Sequence, residues 1–324
     1  MTILINGLDL SEIIETITWS GDDTQVSRKL EFSIAQSSQD ANFPTISINE
    51  GDQVLLQKED KTVLFGGIIF DIDRTASSNL IKYLAYDLMY YINQSEITRD
   101  YNAAPEEIAA QVCTELEVPV GTMAATGIVV ANPAVKKTGY QIIQSSYTAA
   151  ARQNGKKYMP MMTDVNKVSV IEKGQDSGVI MTGDANLSEA NYKVSLQNLV
   201  NRVLITDQKG AVISTVEDLE SQAKYGIVQK ILEQEEKKDA TQEAKNMLKN
   251  SEATAAVSGF PDDPRALAGY AVIVEEEATG LKGRFFVTAD THKYANGEAT
   301  MDLTLEFHNL MDEQEIDQKD DAKK

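Results

Sequence analysis

The side chains best suited to chemistry are scarce in this chain of 324 residues. It has two histidines, His292 and His308, and a single cysteine, Cys113. Neither histidine has a second histidine four residues away or a cysteine beside it, so the spacing favours neither a zinc site nor a histidine triad. His292 could act as a base oriented by Asp290 on the same strand face. The favoured interpretation is a polar-face histidine that hydrogen-bonds to its strand neighbour.

Paired carboxylates are the other candidates for chemistry. Asp71 and Asp73 share one face of a predicted strand, and Glu275, Glu276 and Glu277 cluster beside a predicted turn. A glycosidase needs two carboxylates at a defined separation across a cleft, but in a chain with 50 acidic residues such pairs also arise by chance. Motifs for phosphate, dinucleotide or calcium binding and for a nucleophilic serine are missing from the sequence. We therefore predict no catalytic residue, no cofactor and no metal.

Composition narrows the possible partners. The formal net charge of -20 and the lack of a Lys/Arg run argue against specific nucleic-acid binding or attraction to an anionic membrane. The longest apolar run, Val63–Phe70, has eight residues, whereas a membrane-spanning helix needs about 20. Cys113 lies at helical spacing among apolar residues, which indicates a buried packing residue in a protein made in a reducing cytoplasm.

The elements that must position these side chains are mostly strands. Residues 1–96 show short alternating segments separated by turn residues, as in a barrel or sandwich. Residues 97–190 combine two amphipathic helices, which begin near Pro105 and Gly139, with two short strands, and so predict a small α/β insert. Residues 191–310 return to strands with helices, and residues 311–324 are predicted to be a disordered acidic tail.

The clearest strand pair lies near the C-terminus. Odd-numbered residues from Phe285 to Thr291 alternate with a more polar even-numbered set that contains Asp290 and His292. Asn296-Gly297 predicts a tight turn, and Met301 lies on the apolar face of the return strand. We therefore expect a solvated face, the candidate lumen or subunit contact, formed by Thr288, Asp290, His292, Thr300, Asp302 and Thr304.

This strand pair also has a counterpart earlier in the chain. Gly51–Gln57 aligns with Gly269–Glu275, and with one gap Gly66 aligns with Gly283 and Asp73 with Asp290. Two unrelated strand pairs can look alike at this level, which is the alternative. A true repeat predicts two related β-domains separated by the insert.

These segments resemble a known family. Phe65-Gly66-Gly67, Tyr140–Ile143, Tyr225-Gly226 and the stretch from Gly269 through Asn296-Gly297 to Leu305 resemble the XkdQ-type tail hub proteins. That family occurs in PBSX-like defective prophages, contractile-tailed phages and phage-tail-like bacteriocins such as diffocins. The resemblance covers nearly the whole chain up to Asn309. It suggests structural roles for the matching positions Gly66, Gly67, Tyr225, Gly226, Gly269, Gly283, Asp290, His292, Gly297 and Met301.

The resemblance implies a baseplate hub similar to those of phages T4 and Mu. The implied fold is mainly β with an α/β insert, in which two tube-like antiparallel β-barrel domains flank a small α/β domain. The implied assembly is a homotrimer that joins a six-fold tail tube protein to a three-fold spike protein. Other baseplate proteins and the tape measure protein are further implied partners. Such a protein would assemble in the bacterial cytoplasm and reside in the baseplate of the particle.

Two other functions stay open from the residues. One is a tail-associated peptidoglycan hydrolase with Asp71, Asp73 or Glu275–Glu277 as acid and base. The other is a surface-glycan binding module, which is less favoured because aromatic residues make up only 6% of the chain.

Overall fold

Seven strands open the chain in the computed structural model, which describes residues 1–24, 27–36, 46–234 and 240–316. Strand residues alternate between the core and the outside, and Trp19, Phe32 and Tyr83 fill the core of this part. A short 3₁₀ helix at Ser11–Ile13 precedes the third strand. The strands are β1 (Thr2–Ile5), β2 (Leu8–Asp9), β3 (Ile14–Asp22), β4 (Lys29–Ala35), β5 (Gln53–Gln57), β6 (Val63–Arg74) and β7 (Leu80–Tyr86).

The predicted α/β segment follows and has its own apolar core. Pro105 stands at the first turn of one helix, and Thr138 and Gln141 form a capping box at the start of the next. Cys113 is fully buried, and burial raises the pKa of its thiol to about 12. The elements are α1 (Met89–Gln94), β8 (Glu96–Ala103), α2 (Pro105–Glu115), β9 (Val120–Met123), β10 (Val130–Thr138), α3 (Gly139–Asn154), β11 (Tyr158–Thr163) and β12 (Lys167–Glu172).

Two strands, β13 (Gln175–Thr182) and β14 (Leu187–Ser195), lead into a small compact unit of residues 191–255. Its elements are β15 (Arg202–Thr206), β16 (Val212–Glu217), α4 (Leu219–Tyr225), β17 (Gln229–Glu233) and α5 (Thr241–Met247). The central strand β15 pairs with β16 antiparallel and with β17 in parallel. Val203 and Ile205 of β15 pack against Ala244 of α5.

The larger unit combines the described residues of Met1–Ala190 with those of Ala256–Lys324. Its last strands are β18 (Glu252–Gly259), β19 (Tyr270–Glu276), β20 (Leu281–Ala295) and β21 (Glu298–Glu306). Together with β13 and β14 they join the first seven strands in one sheet of 13 strands. Its order is β14-β18-β21-β20-β3-β4-β7-β6-β5-β1-β2, and β19 pairs with β20 beside this path while β13 pairs with β19.

The β-rich class with a smaller α/β part is confirmed. The expected closure into two separate barrels is not seen, because 13 of the described strands form one sheet whose order ends at β14 and at β2. The acidic tail also differs from expectation. Residues 311–316 lie against α3 through contacts such as Tyr140 to Asp312, whereas residues 317–324 lie outside the described residues.

Candidate functional site

The even-numbered face of β20, which the sequence predicts to be solvated, is partly buried in the core. Asp290 and His292 are 1% and 0% exposed. The register of β20 against β21 shifts between Val287 and Ala289, which marks a β-bulge. A bulge adds one residue to a strand, so the odd-numbered side chains face the core before it and the even-numbered ones after it. The expectation of a wet surface at Asp290 and His292 is therefore wrong.

Asp290 forms a buried ion pair with Arg28, a residue from the loop before β4. Arg28 Nη1 donates to Asp290 Oδ1 over 2.9 Å, and Nη2 donates to Oδ2. The backbone N–H of Ala268 also donates to Oδ1 over 2.6 Å. Burial opposes ionisation, but Arg28 outweighs it and lowers the pKa of Asp290 to about 2. A side chain at Gly21 would lie less than 3.0 Å from the guanidinium, so this position must be small.

His292 extends the buried polar network towards Asp262. Its Nδ1 lies 2.5 Å from Asp262 Oδ1, and its Nε2 lies 3.2 Å from Asp290 Oδ2. Tyr294 donates its hydroxyl to Asp262 Oδ2 over 2.6 Å. Burial disfavours a charge on His292, but the two carboxylates outweigh burial and raise its pKa. These groups form the seam network, defined here as Arg28, Asp262, Asp290, His292 and Tyr294.

The aromatic side chain of Trp19 covers the seam network. Its ring centroid lies 5.0 Å from that of His292 and 4.3 Å from Arg28 Cζ. Because β3 and β20 are paired here, with Trp19 opposite His292, the network joins the N-terminal strands to the C-terminal ones. Nearby, the buried Asp87 accepts from the N–H groups of Arg28 and Met89, and burial raises its pKa to about 7.

The seam network has no route to a substrate, since its carboxylates and its imidazole are at most 2% exposed. A buried, hydrogen-bonded set of charges favours the strand pairing that brings its members together. Within the described part of the chain, no group of three or more His, Cys, Asp or Glu side chains could hold a metal ion. The pair Asp290–His292 is therefore a structural contact, and the alternative of a base and its orienting carboxylate is not supported.

The other candidate carboxylates lie on the surface. Asp71 and Asp73 are exposed on β6. Glu276 accepts from the N–H groups of Ala278 and Thr279 in a turn, and the hydroxyl and N–H of Thr279 lower its pKa. A general acid at neutral pH needs a raised pKa instead. Glu276 therefore does not have the property that the hydrolase alternative requires.

The glycines of the family motif allow close packing and turns. A side chain at Gly66 would lie under 3.0 Å from Val165 of the β11–β12 hairpin, and one at Gly67 would meet the carbonyl of Tyr86. Asn296 and Gly297 both have positive φ, as the predicted turn requires. Gly269 and Gly283 lie at the two ends of the β19–β20 hairpin, Met301 lies in the core, and Tyr225 and Gly226 lie at the end of α4.

The structure contains the internal repeat. The N–H of Gly51 donates to the carbonyl of Ile69, and the N–H of Gly269 donates to the carbonyl of Val287. Both residues of the second pair lie 218 positions after their counterparts in the first pair. The bulge recurs as well, because the register shifts after Ile69 in β6 and after Val287 in β20.

The strand order repeats with the register. The order β3-β4-β7-β6 corresponds to β14-β18-β21-β20. The predicted gap is wrong, since Val54 pairs with Gly67 and Val272 pairs with Phe285, so both strands of the hairpin keep the offset of 218 positions. The equivalent of Asp290 is therefore Ile72, and Asp73 corresponds to Thr291.

Two strand segments of the repeated arrangement have a strand neighbour on one side only within the described residues. Residues 289–292 of β20 pair with β3, but their equivalents, residues 71–74 of β6, pair among the described strands only with β7 on one side. At the other end, β14 has β18 as its strand neighbour within the described residues. Val194 of β14 is 54% exposed. An edge strand with free N–H and C=O groups is a template for pairing with another chain.

Sequence reasoning missed Arg28, Asp87 and Asp262. Arg28 stands in a polar loop 262 positions before Asp290, and no local pattern connects the two. Asp262 lies in the stretch Pro261–Pro264, which the sequence marks only as a turn. A search for buried partners of Asp290 requires the sheet order, which local alternation does not give.

Comparison with known proteins gives a family and a fold. A family model described as YQBQ-like matches residues 17–306. No curated protein sequence matches the chain. No helix in the described part of the chain is long and apolar enough to cross a membrane.

Solved structures are similar over nearly the whole chain. The 43 kDa tail protein of prophage MuSo2 from Shewanella oneidensis aligns with a TM-score of 0.69 and 14% identity, over 94% of this chain and 97% of that one. A tail protein from Neisseria meningitidis MC58 aligns with a TM-score of 0.61 and 14% identity, over 94% and 95%. A chain of the Francisella PdpA–VgrG complex aligns with a TM-score of 0.56 and 11% identity, over 96% and 58%. At these identities the likeness establishes the fold.

Proposed function

The chain belongs to the YQBQ-like family, and on that premise we propose that it is a structural baseplate hub of a contractile phage tail or phage-tail-like bacteriocin. In this role it is a homotrimeric adaptor between a six-fold tail tube and a three-fold spike. The observation that carries the proposal is the repeat, with its matching register, bulge and strand order. A chain with two equivalent sets of strands can present six similar surfaces from three copies.

The seam inside the chain supplies a geometry for the contact between copies. In the chain, β3 of the first repeat pairs with residues 289–295 of β20 in the second. The equivalent contact between copies pairs β14 of one subunit with residues 71–74 of β6 in the next. Each subunit then contributes two different edges, β14 to one neighbour and residues 71–74 of β6 to the other. Such a head-to-tail contact closes into a ring when the rotation between subunits fits.

The two kinds of seam differ in chemistry. The internal seam contains the buried pair Arg28–Asp290 and the histidine His292. Ile72 and Arg74 occupy the equivalent positions on the open edge, beside the exposed Asp71 and Asp73. A buried, geometrically demanding ion pair favours one partner strand. The seam network thus favours pairing of the two repeats within one chain over pairing with another copy.

The test is the molar mass of the purified protein in solution, which gives the number of subunits. We expect a trimer by light scattering, and we expect Val194→Asp on β14 to weaken it, because the new carboxylate approaches the acidic edge of β6. Like charges across paired strands are unfavourable by about 0.2–1 kcal/mol each. Val194→Lys should preserve the trimer, and Val135→Asp, at a site 60% exposed on β10, is the matched control.

A stable monomer at high protein concentration would contradict the trimer. Equal effects of Val194→Asp and Val135→Asp would contradict the location of the contact. Reconstitution with tail tube, spike, tape measure and other baseplate proteins tests the adaptor role itself. In this proposal residues 1–96 and 191–310 are the two tube-like parts, residues 97–190 the insert, and assembly precedes release from the bacterial cytoplasm.

A further inference from the structure

One face of α3 carries polar side chains at a regular spacing of four residues. Residues four apart lie above one another on a helix, so these side chains form a ladder along one side. Gln144 and Thr148 are each 1% exposed. Buried polar groups require polar partners, and here a non-helical segment supplies them. We call this face the α3 ladder, which consists of Tyr140, Gln144, Thr148 and Arg152.

The segment that covers the α3 ladder is residues 310–316, which follow β21. The hydroxyl of Tyr140 donates to Asp312 Oδ2 over 2.7 Å, and Gln144 Nε2 donates to the carbonyl of the same residue. The N–H of Gln314 donates to Thr148 Oγ1 over 3.2 Å. Two of these contacts involve the backbone of the segment, so the ladder recognises a chain in an extended path.

Basic side chains add recognition of carboxylates. Arg152 Nη1 lies 3.0 Å from Glu315 Oε2, and Arg152 Nη2 lies 3.1 Å from Glu313 Oε2. Lys157 Nζ lies 3.7 Å from Glu313 Oε1. In a chain of net charge -20, two cations directed at one short acidic segment form a complementary site.

The C-terminal end of the α3 ladder, at Arg152, holds residues 310–316 weakly. Arg152 is 49% exposed and Glu315 is 73% exposed, and exposed ion pairs contribute about 0–1 kcal/mol each. The segment joins no strand, and its one apolar anchor on the core is Met311. Segments with few buried apolar contacts open at low free energy. By contrast, Lys173 holds the start of the segment through the carbonyl of Leu310.

We propose that the α3 ladder is a docking groove for an extended acidic segment, and that neighbouring copies of this chain exchange residues 310–316 through it. The exchange rests on the proposed trimer, in which each ladder meets the segments of other copies at high effective concentration. The same hydrogen bonds and ion pairs form whichever copy supplies the segment. Exchange of the segment therefore links two subunits through contacts that already exist within one chain.

The first experiment tests the groove on the full chain. A fluorescent peptide of residues 308–316 is titrated against wild type and against the triple variant Asp312→Asn, Glu313→Gln, Glu315→Gln, whose own segment is weakened. We expect at least tenfold tighter binding to the triple variant, and loss of that binding when Arg152→Gln is added. A charge-matched triple variant (Glu189→Gln, Glu220→Gln, Glu243→Gln) should behave as wild type. Equal binding to wild type and triple variant, or none to either, overturns the groove.

The second experiment identifies the copy that supplies the segment. Chains with Thr148→Cys and chains with Gln314→Cys are unfolded together, refolded and treated with a short bismaleimide, while the native Cys113 stays buried. Exchange predicts cross-linked pairs in the mixture and none in either chain alone. A trimer that cross-links only within a chain carrying both substitutions refutes exchange and leaves the proposed function intact. A monomer that still binds the peptide refutes the trimer and the exchange but retains the groove.

Discussion

Replacement of Asp290 by Asn removes one charge from the seam network with little change in shape. The new amide oxygen can still accept from the N–H of Ala268, which donates to Asp290 Oδ1 in the native chain. The variant therefore isolates the effect of an unpaired guanidinium. Arg28 would remain in a site where its side chain is 9% exposed.

The expected loss of stability follows from that burial. Removal of one partner of a buried ion pair destabilises a protein by about 3–5 kcal/mol, because the remaining charge stays desolvated. In a unit of this size each kcal/mol lowers Tm by about 2–4 °C. We expect Asp290→Asn to lower the midpoint of unfolding by about 6–20 °C.

Trp19 provides the assay. It is the single tryptophan, it is 2% exposed, and it stacks on Arg28 in the seam network. Its fluorescence therefore reports the unfolding of the larger unit at the altered site. Asp302→Asn is the matched control, because Asp302 lies on the adjacent strand in an exposed pair with Lys293, for which about 0–1 kcal/mol is expected.

A double variant separates an unpaired charge from a general packing defect. Arg28→Met combined with Asp290→Asn removes the buried charge, so it should recover at least half of the loss of the single variant. If Asp290→Asn lowers the free energy of unfolding by no more than Asp302→Asn, the ion pair does not hold the seam. If the double variant is less stable than the single one, charge is not the cause.

Three further outcomes are expected in thermal or urea unfolding. Gly67→Ala should destabilise the chain by about 1–3 kcal/mol through its contact with the Tyr86 carbonyl, whereas Gly183→Ala, with nothing within 4 Å, should be near neutral; equal effects would refute the packing argument. Asp87 titrates at about 7 when folded and near 3.8 when exposed, so stability should fall as pH rises between these values, and Asp87→Asn should flatten that slope. Gly297→Val should destabilise by about 1 kcal/mol or more, because φ is +80° there, and an unchanged midpoint would contradict the turn.

Some features of the fold follow from local sequence because their causes are local. Alternation of apolar side chains predicts strands, and it identified the β-rich parts and the β19–β20–β21 meander. Pro105, the capping pair Thr138–Gln141 and Asn296-Gly297 act on neighbouring backbone groups, so the helices and the turn lie where predicted. The repeat was visible in the spacing of Gly51 and Gly269, although its register was one residue off.

The seam and the docked segment depend on tertiary structure. A bulge has no clear signature in local sequence, yet the single residue it adds turned Asp290 and His292 from the outer face to the inner one. Arg28 and Asp262 reach them only because β3 and β20 pair, and that choice depends on the whole sheet. The sequence of residues 311–316 is polar enough to predict disorder, but the α3 ladder supplies the partners that order it. Local sequence thus determined which segments form strands, because side-chain alternation is a local property. Tertiary structure decided which face of each strand is buried, because that depends on strand pairing and on the bulge.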